Sequence, residues 1–185
     1  MTHEIDFDNI RLIKPHMSYI SSYRAAILEY RAHGVEDFAY PKVATKREVA
    51  AYFDKVDNFR RGIDVPPGYV PGSSFWLVDG RHYLGSGDVR HYLNDSLRRL
   101  GGNIGYSIRP AAWGLGLGTR QLAMLLDEAA LLRICRPIVT CFDANIASVR
   151  IIEKNGGVLL NKIINKYGGK DRLTRIYEID LTQRF

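Results

Sequence analysis

Hydrophobic and polar positions along the chain follow two periods, one typical of helices and one typical of strands. In residues 119–133 apolar side chains recur with helical spacing, at positions 122, 125, 126, 129 and 132. Residues 9–14 instead alternate between apolar and polar side chains, as a strand with one buried face does. Asp79-Gly80 separates two strand-like runs within 74–94 and is a strong hairpin signal. The pattern predicts a mixed α/β fold.

Start and stop signals set the bounds of the predicted elements. Thr45 and Glu48 form a capping box before an amphipathic run that ends at Gly62, and Asn145 precedes another such run. The predicted helices are 18–34, 45–62, 119–133 and 145–157. The predicted strands are 9–14, two within 74–94, 103–110, 137–143, 158–164 and 173–180. The remaining segments, such as 64–74, 95–102 and the region of Gly168-Gly169, are predicted loops or turns.

Length and composition fit one domain over residues 1–185. The chain is 46% hydrophobic and 25% charged, the balance of a globular protein. No apolar run reaches the ~20 residues that cross a bilayer, and the N-terminus lacks an apolar core of signal-peptide length. We therefore expect a cytoplasmic protein with no membrane partner. Cys135 and Cys141 lack a metal-ligand spacing, so we expect reduced structural thiols and no metal.

The net charge of +6, from 26 Lys and Arg against 20 Asp and Glu, favours an anionic partner. Nucleic acid, a phosphorylated cofactor and an acidic substrate all fit this charge. The basic residues are scattered, however, and the densest groups, at 59–62 and 97–100, are better explained as solvated faces. Nucleic acid is therefore the less favoured partner.

Three glycines, at positions 114, 116 and 118, stand between a predicted strand and a predicted helix. Each weakens a helix by about 1 kcal/mol relative to alanine, so something other than helix formation requires them. Bare glycines let successive backbone N–H groups point at one place beside a positive helix N-terminus, which makes an anion cradle. Tight packing of helix against strand is the alternative. The spacing fits neither a Walker loop nor a Rossmann fingerprint.

The chain resembles the GNAT superfamily of acyl-CoA N-acyltransferases, strongly so over residues 75–164. The segment 101–162 carries the resemblance, with "NIGYSIRPAAWGLGLGTRQLAML" and "CFDANIASVRIIEKNGG" at its centre. The resemblance implies a mixed sheet of about seven strands and four helices, splayed between strands 103–110 and 137–143. Acetyl-CoA would lie in the gap, with its pantetheine along Tyr106–Arg109, where Ile108 lies. Asn145 matches a family asparagine that contacts the cofactor. The pyrophosphate would contact the loop residues Trp113, Gly114, Leu115, Gly116, Leu117, Gly118 and Thr119.

The sequence departs from the family pattern at four positions. Trp113 stands where the pyrophosphate loop usually has Gln or Arg, as in the similar branch that acetylates protein N-termini and related amines. Ile152 replaces a tyrosine that many members use to protonate the departing thiolate, and Gly157 replaces a common phenylalanine. Asn103 occupies the position of a carboxylate that often serves as base. The usual acid and base are therefore both missing.

The residues for proton transfer must come from elsewhere in the sequence. His91 is the best single candidate for a base, although a buried structural histidine explains it as well. The same predicted strand also offers Asp88, which alternation places on the other face of the strand. Tyr106 and Tyr83 are candidate acids. Catalysis by proximity, with water taking the proton, is a further alternative.

We therefore expect an N-acetyltransferase that moves an acetyl group from acetyl-CoA to a primary amine of a small molecule or peptide by direct attack. Two alternatives stay open: a basic CoA- or nucleotide-binding module without turnover, and transfer to an RNA-linked amine such as an aminoacyl-tRNA. A homodimer is compatible with the sequence. Five aromatic residues fit either an acceptor pocket or the core, namely Tyr19, Tyr23, Tyr30, Phe38 and Tyr40.

Overall fold

The computed structural model describes residues 5–35, 43 and 45–184, in which seven strands form one sheet. The strands are β1 (Arg11–Ile13), β2 (Gly72–Val78), β3 (Tyr83–Arg90), β4 (Ile104–Ile108), β5 (Ile138–Phe142), β6 (Gly157–Tyr167) and β7 (Lys170–Ile179). The α-helices are α1 (Ile20–Ala32), α2 (Lys46–Arg61), α3 (Asp95–Arg99), α4 (Leu117–Leu131) and α5 (Ile146–Lys154). The strand order β1-β2-β3-β4-β5-β7-β6 confirms the predicted mixed α/β sheet.

Helix α2 begins and ends where its sequence signals placed it. The Thr45 hydroxyl accepts from the Glu48 N–H at 3.2 Å, and the Glu48 carboxylate accepts from the Thr45 N–H at 2.9 Å. This reciprocal capping box satisfies two backbone donors at the helix start. Gly62 follows the last turn in the left-handed conformation, with φ at 75°. Such a residue ends a helix at little cost when it is glycine.

The sheet separates two cores, one on each face. On the face that we call the α1 face, Tyr23 of α1 stacks on Trp76 of β2 with ring centroids 4.7 Å apart. On the other, the α4 face, Leu122 and Leu125 of α4 are fully buried among strand side chains. Tyr23 is therefore a core residue, as one of the two sequence interpretations held. Phe38 and Tyr40 lie outside the described residues.

Helix α4 approaches β3 closely because Gly87 has no side chain. A Cβ at Gly87 would lie 2.5 Å from the Leu125 Cδ1 atom. Gly85 is likewise restricted, since its Cβ would lie 2.2 Å from the Ser107 carbonyl oxygen. These two glycines confirm the close approach that their place inside a strand indicates.

The structure differs from the predicted elements in two places. Segment 95–102 contains the short helix α3, because the Asn94 side chain accepts from the Leu97 N–H at 2.9 Å and so caps it. Strands β6 and β7 pair up to Tyr167 and Lys170, leaving a two-residue turn at Gly168-Gly169 instead of a long loop. Both turn glycines have positive φ, which a tight hairpin turn requires.

The centre of the sheet splits between β4 and β5, as the resemblance implied. Strand β4 pairs antiparallel with β3 over Ile104–Ile108. With β5, which is parallel, it shares one ladder pair, Ile104 with Val139. Beyond this pair the two strands diverge. In the part of the chain that the structure describes, no helix has the length and apolar character to cross a membrane.

Candidate functional site

One backbone edge of β4 faces the gap between β4 and β5. The Arg109 N–H donates to the Leu84 carbonyl at 2.8 Å, so the odd-numbered residues of β4 turn their polar groups toward β3. Backbone polar groups alternate sides along a strand. Those of Tyr106 and Ile108 therefore face the gap, beyond the last ladder pair. An extended chain with amide groups can hydrogen-bond to this edge in the way a further strand would.

A cleft of about 710 Å³ continues from this gap to the start of α4. Among the predicted site residues, those that line it are Tyr106, Ile108, Trp113, Gly114, Gly116, Leu117, Gly118, Thr119 and Asn145. Leu115 lies on the same loop but is not among the lining residues, and its side chain is 47% exposed. The structure thus brings two distant stretches of sequence, 106–119 and 145, to one cleft.

The loop before α4 presents a run of free backbone N–H groups. Across the described residues, none of the N–H groups of residues 114–118 has a hydrogen-bond acceptor. Gly114 and Gly116 have φ of 78° and 77°, and a Cβ on either would meet no heavy atom within 4 Å. The left-handed backbone turns these amides toward the cleft at the positive end of a 15-residue helix. This is the geometry of an anion cradle.

Gly118 serves a different purpose from its two neighbours. A Cβ at this position would lie 2.6 Å from the Ile151 Cδ1 atom of α5. The missing side chain therefore lets α4 and α5 pack closely beside the cradle. Both interpretations of the glycine motif are thus present: positions 114 and 116 fit an anion cradle, and position 118 is required by packing.

An ion pair between the buried Arg109 and the half-buried Glu29 links the start of the cradle loop to α1. The Arg109 guanidinium, 5% exposed, donates to the Glu29 carboxylate of α1, to the Ser22 hydroxyl at 3.1 Å and to the Tyr83 carbonyl at 3.0 Å. The same carboxylate accepts from the Ala111 N–H at 3.3 Å. Burial raises the pKa of Glu29, but these hydrogen bonds outweigh burial and lower it overall. Glu29 therefore holds the segment leading into the cradle at two points, the Arg109 side chain and the Ala111 backbone.

Trp113 takes the place of the usual Gln or Arg and binds the strand edge. Its indole N–H donates to the Ile108 carbonyl at 2.6 Å. Its ring stands edge-on to His33 with centroids 5.4 Å apart and is half exposed. The carbonyl of Ile108 is thereby occupied, which leaves the polar groups of Tyr106 and the N–H of Ile108 for a ligand.

The opposite wall of the cleft is the N-terminus of α5. The Asn145 side chain accepts from the Ser148 N–H at 3.0 Å, so Asn145 is the N-cap. The Ser148 hydroxyl lies 2.7 Å from the Tyr106 hydroxyl. Burial raises the pKa of Tyr106 well above its ordinary value, only partly offset by Ser148. Tyr106 therefore keeps its proton at neutral pH, and its hydroxyl forms a hydrogen-bonded pair with that of Ser148.

Two positions where the family pattern fails have structural roles. Ile152 is fully buried in the core on the α4 face. Asn103 joins three strands at the closed end of the split: its side chain accepts from the Ile138 N–H at 2.9 Å and donates to the Arg90 carbonyl at 3.3 Å. Neither residue lines the cleft.

His91 does not reach the cleft. It follows the last residue of β3, and its Nε2 lies 3.0 Å from the Ser73 hydroxyl. Ser73 pairs with Val89, which is buried on the α4 face. Burial lowers the pKa of His91, and the charge of Arg60 lowers it further. The structure therefore gives His91 a structural partner. Tyr83 is also outside the lining residues and fully buried.

Other cleft residues were not singled out from sequence. Ser148 follows the N-cap by three residues, and Arg150 and Lys154 share one face of α5 at a spacing of four. Tyr30 of α1, which the sequence assigned either to an acceptor pocket or to the core, is buried and also lines the cleft. A search for polar residues at helical spacing after Asn145 would have found Ser148, Arg150 and Lys154.

Comparison with known proteins agrees with this geometry. Residues 19–158 match the family model described as an acetyltransferase (GNAT) domain. The chain therefore belongs to the GNAT acetyltransferase family, which confirms the predicted family and the acyltransferase class. The sequence has no significant match among curated proteins.

Solved structures share the fold at low sequence identity. RimL, a ribosomal L7/L12 alpha-N-protein acetyltransferase solved with coenzyme A, is 17% identical, with a TM-score of 0.69 over 96% of this chain and 99% of that one. The microcin C7 self-immunity acetyltransferase MccE, solved with acetyl-CoA and AMP, is 16% identical, with a TM-score of 0.67 over 94% and 93%. RimJ of Mycobacterium smegmatis, in complex with CoA-disulfide, is 17% identical, with a TM-score of 0.68 over 94% and 83%.

Proposed function

We propose that the protein transfers an acetyl group from acetyl-CoA to the α-amine of a peptide or protein, or to a similar primary amine. The observation that carries the proposal is the free backbone N–H run of residues 114–118 next to the open edge of β4. The cradle suits a pyrophosphate, and the strand edge suits the amide groups of pantetheine. A CoA molecule needs both a site for its pyrophosphate and a site for its pantetheine, and here the cradle and the strand edge lie in one cleft.

The described residues fit each part of the donor. Backbone amides of the cradle would hold the pyrophosphate, and Tyr106 and Ile108 would pair with pantetheine. Acetyl-CoA supplies an activated thioester when bound. A backbone N–H of the β4 edge would polarise its carbonyl. Ser148 and Tyr106 line the same cleft with their hydroxyls 2.7 Å apart, which supports a role in protonating the leaving sulfur.

Arg150 and Lys154 give the cleft positive charge that suits the remaining phosphate of CoA. We expect Arg150→Gln and Lys154→Gln each to raise the Kd for acetyl-CoA about two- to fivefold at low salt, the scale of an exposed ion pair. The effect should shrink as salt screens it. Calorimetric titration at two salt concentrations measures this. Lys166→Gln on β6, where the side chain is exposed, is the control. An equal rise in Kd for this variant would show that Arg150 and Lys154 do not contact the phosphate directly.

The choice of a peptide amine rests on the structural likeness to RimL, whose acceptor is a protein α-amine. A small-molecule amine stays within the proposal. The basic group at 59–62 gives little support to an RNA-linked acceptor, since Arg60 and Arg61 pair with Asp57 at the surface.

The experiment that tests the function is an acceptor panel. Purified protein and acetyl-CoA are incubated with peptides of varied N-terminal residue, with small primary amines and with aminoacyl-tRNA, and acetylated products are identified by mass spectrometry. Acetylation of a peptide α-amine, with release of one CoA per product, supports the proposal. Binding of acetyl-CoA without turnover on any amine would overturn it in favour of a binding module.

A further inference from the structure

Among the described residues, none covers the α1 face of β4 at Gly105, the point where the sheet splits. A Cβ at Gly105 would meet no heavy atom of the described chain within 4 Å. Gly105 stands between Ile104, the last residue paired with β5, and Tyr106, the first whose backbone faces the gap. This position therefore lies at the apex of the split, on the side of the sheet away from α4.

This position is connected to the cleft through the next residue on the same face. Ser107 follows Gly105 by two positions, so both point to the α1 face. Ser107 lines the cleft, and its hydroxyl accepts from the Tyr30 hydroxyl at 3.3 Å. A group on the α1 face beside Gly105 can thus approach the β4 edge, which begins at the neighbouring Tyr106.

Asp88 stands directly beside this position. It pairs with Gly105 across β3 and β4, and side chains at directly opposed positions share a face and lie about 5 Å apart. Its carboxylate accepts from the Ser74 hydroxyl at 2.5 Å, which fixes its orientation while its side chain remains open to solvent. We propose that Asp88 is the base that takes the proton from the acceptor ammonium. This inference rests on the proposed transferase function.

The groups around Asp88 suit this role. Although solvent reaches the side chain, the surrounding protein desolvates the carboxyl and raises its pKa, while Ser74 and the charge of Arg90 act in the opposite direction. Tyr52 faces it from α2, Arg90 from its own strand, Ser74 from β2 and Gly105 from β4. A carboxylate of raised pKa is a stronger base than an ordinary aspartate.

The step balances with the groups present. The Asp88 carboxylate takes one proton from the ammonium, and the freed amine attacks the acetyl carbon. A C–N bond forms and the C–S bond breaks. The sulfur leaves with the electron pair and receives one proton from Tyr106, relayed by the Ser148 hydroxyl. The second amine proton passes to water; water then returns a proton to Tyr106 and takes one from Asp88, so that one proton is released per acetyl group transferred.

The test compares the wild type with Asp88→Asn on a peptide that the acceptor panel has shown to be acetylated. We expect kcat/KM at pH 7 to fall about 10²- to 10⁴-fold. The Kd for acetyl-CoA should stay unchanged, because Asp88 is not among the residues that line the donor cleft. Asp171→Asn, which removes an exposed carboxylate near the β6–β7 turn, should leave both values unchanged.

Two readouts separate a base from a structural residue. The deficit of Asp88→Asn should shrink as the pH rises toward the pKa of the acceptor amine, because more acceptor then arrives neutral. It should nearly vanish with an aminooxy-terminated peptide, whose amine is unprotonated at neutral pH. If kcat/KM of Asp88→Asn were unchanged, or were lowered by the same factor at every pH and with every acceptor, Asp88 would not be the base. The proposed acetyltransferase function would still stand. If the wild type acetylates no amine, the proposed function and this inference both fail.

Discussion

Gly116→Val is expected to abolish measurable acetyl-CoA binding while the protein stays folded. The residue lines the cleft with φ at 77°, and its missing Cβ faces open space. Valine would place a branched side chain where we propose that the pyrophosphate binds, and it would pull the loop out of the left-handed conformation. Hydrogen bonds to charged groups contribute about 1.5–3 kcal/mol each. Loss of two of them raises the Kd at least about 100-fold, which the fluorescence of half-exposed Trp113 can report.

The chain offers a matched control for this variant. Gly169, in the β6–β7 turn, has φ at 76° and likewise no heavy atom within 4 Å of its missing Cβ. Gly169→Val therefore carries the same backbone strain without touching the cleft. We expect both variants to lose a similar amount of stability in denaturant titrations, and only Gly116→Val to lose binding. Equal affinities in the two variants would show that residues 114–118 do not hold the donor.

Arg109→Leu is expected to lower the free energy of unfolding by about 2–4 kcal/mol, since it leaves the Glu29 carboxylate without its buried partner. The loop from Ala111 into the cradle should loosen with it, so affinity for acetyl-CoA should fall as well. Chemical denaturation measures the first effect. The double variant Arg109→Leu with Glu29→Leu should recover part of the stability, because no charge then lacks a partner; no recovery would contradict a direct pair.

The pH dependence of stability carries a second test of this pair. The pKa of Glu29 is lower in the folded protein, so the stability it contributes is complete above its unfolded pKa of about 4.3. That contribution is lost as the pH falls through the folded pKa. The wild type should therefore lose more stability between pH 5 and pH 3 than Arg109→Leu does.

Local signals in the sequence were enough for most elements and for the cradle. The capping box at Thr45 and the glycine at position 62 each involve residues within one helical turn of each other, and they predicted both ends of α2 correctly. The glycines before α4 predicted the cleft because the strand, the loop and the helix start are contiguous in sequence. Gly168-Gly169 was a turn signal too, but the charged residues around it concealed the long pairing of β6 with β7.

Some residues could not be placed from the sequence, because their positions depend on contacts between segments that are distant in the chain. Glu29 and Arg109 are 80 positions apart, and no local pattern pairs them. Alternation along β3 put Asp88 and His91 on opposite faces, but the choice between them needed the position of Gly105 on the neighbouring strand. Neither Asp88 nor His91 lines the donor cleft, but alternation turns His91 away from the face that Asp88 shares with Gly105. The prediction that His91 is the base stays a prediction, and its hydrogen bond to Ser73 favours a structural role.

Calorimetric titration of the wild-type protein with acetyl-CoA is the decisive measurement for the cleft. We expect saturable binding of one acetyl-CoA per chain, which Gly116→Val loses and Gly169→Val keeps. A folded wild-type protein that takes up no acetyl-CoA would contradict the assignment of the cleft, and with it the acetyltransferase function proposed for this chain.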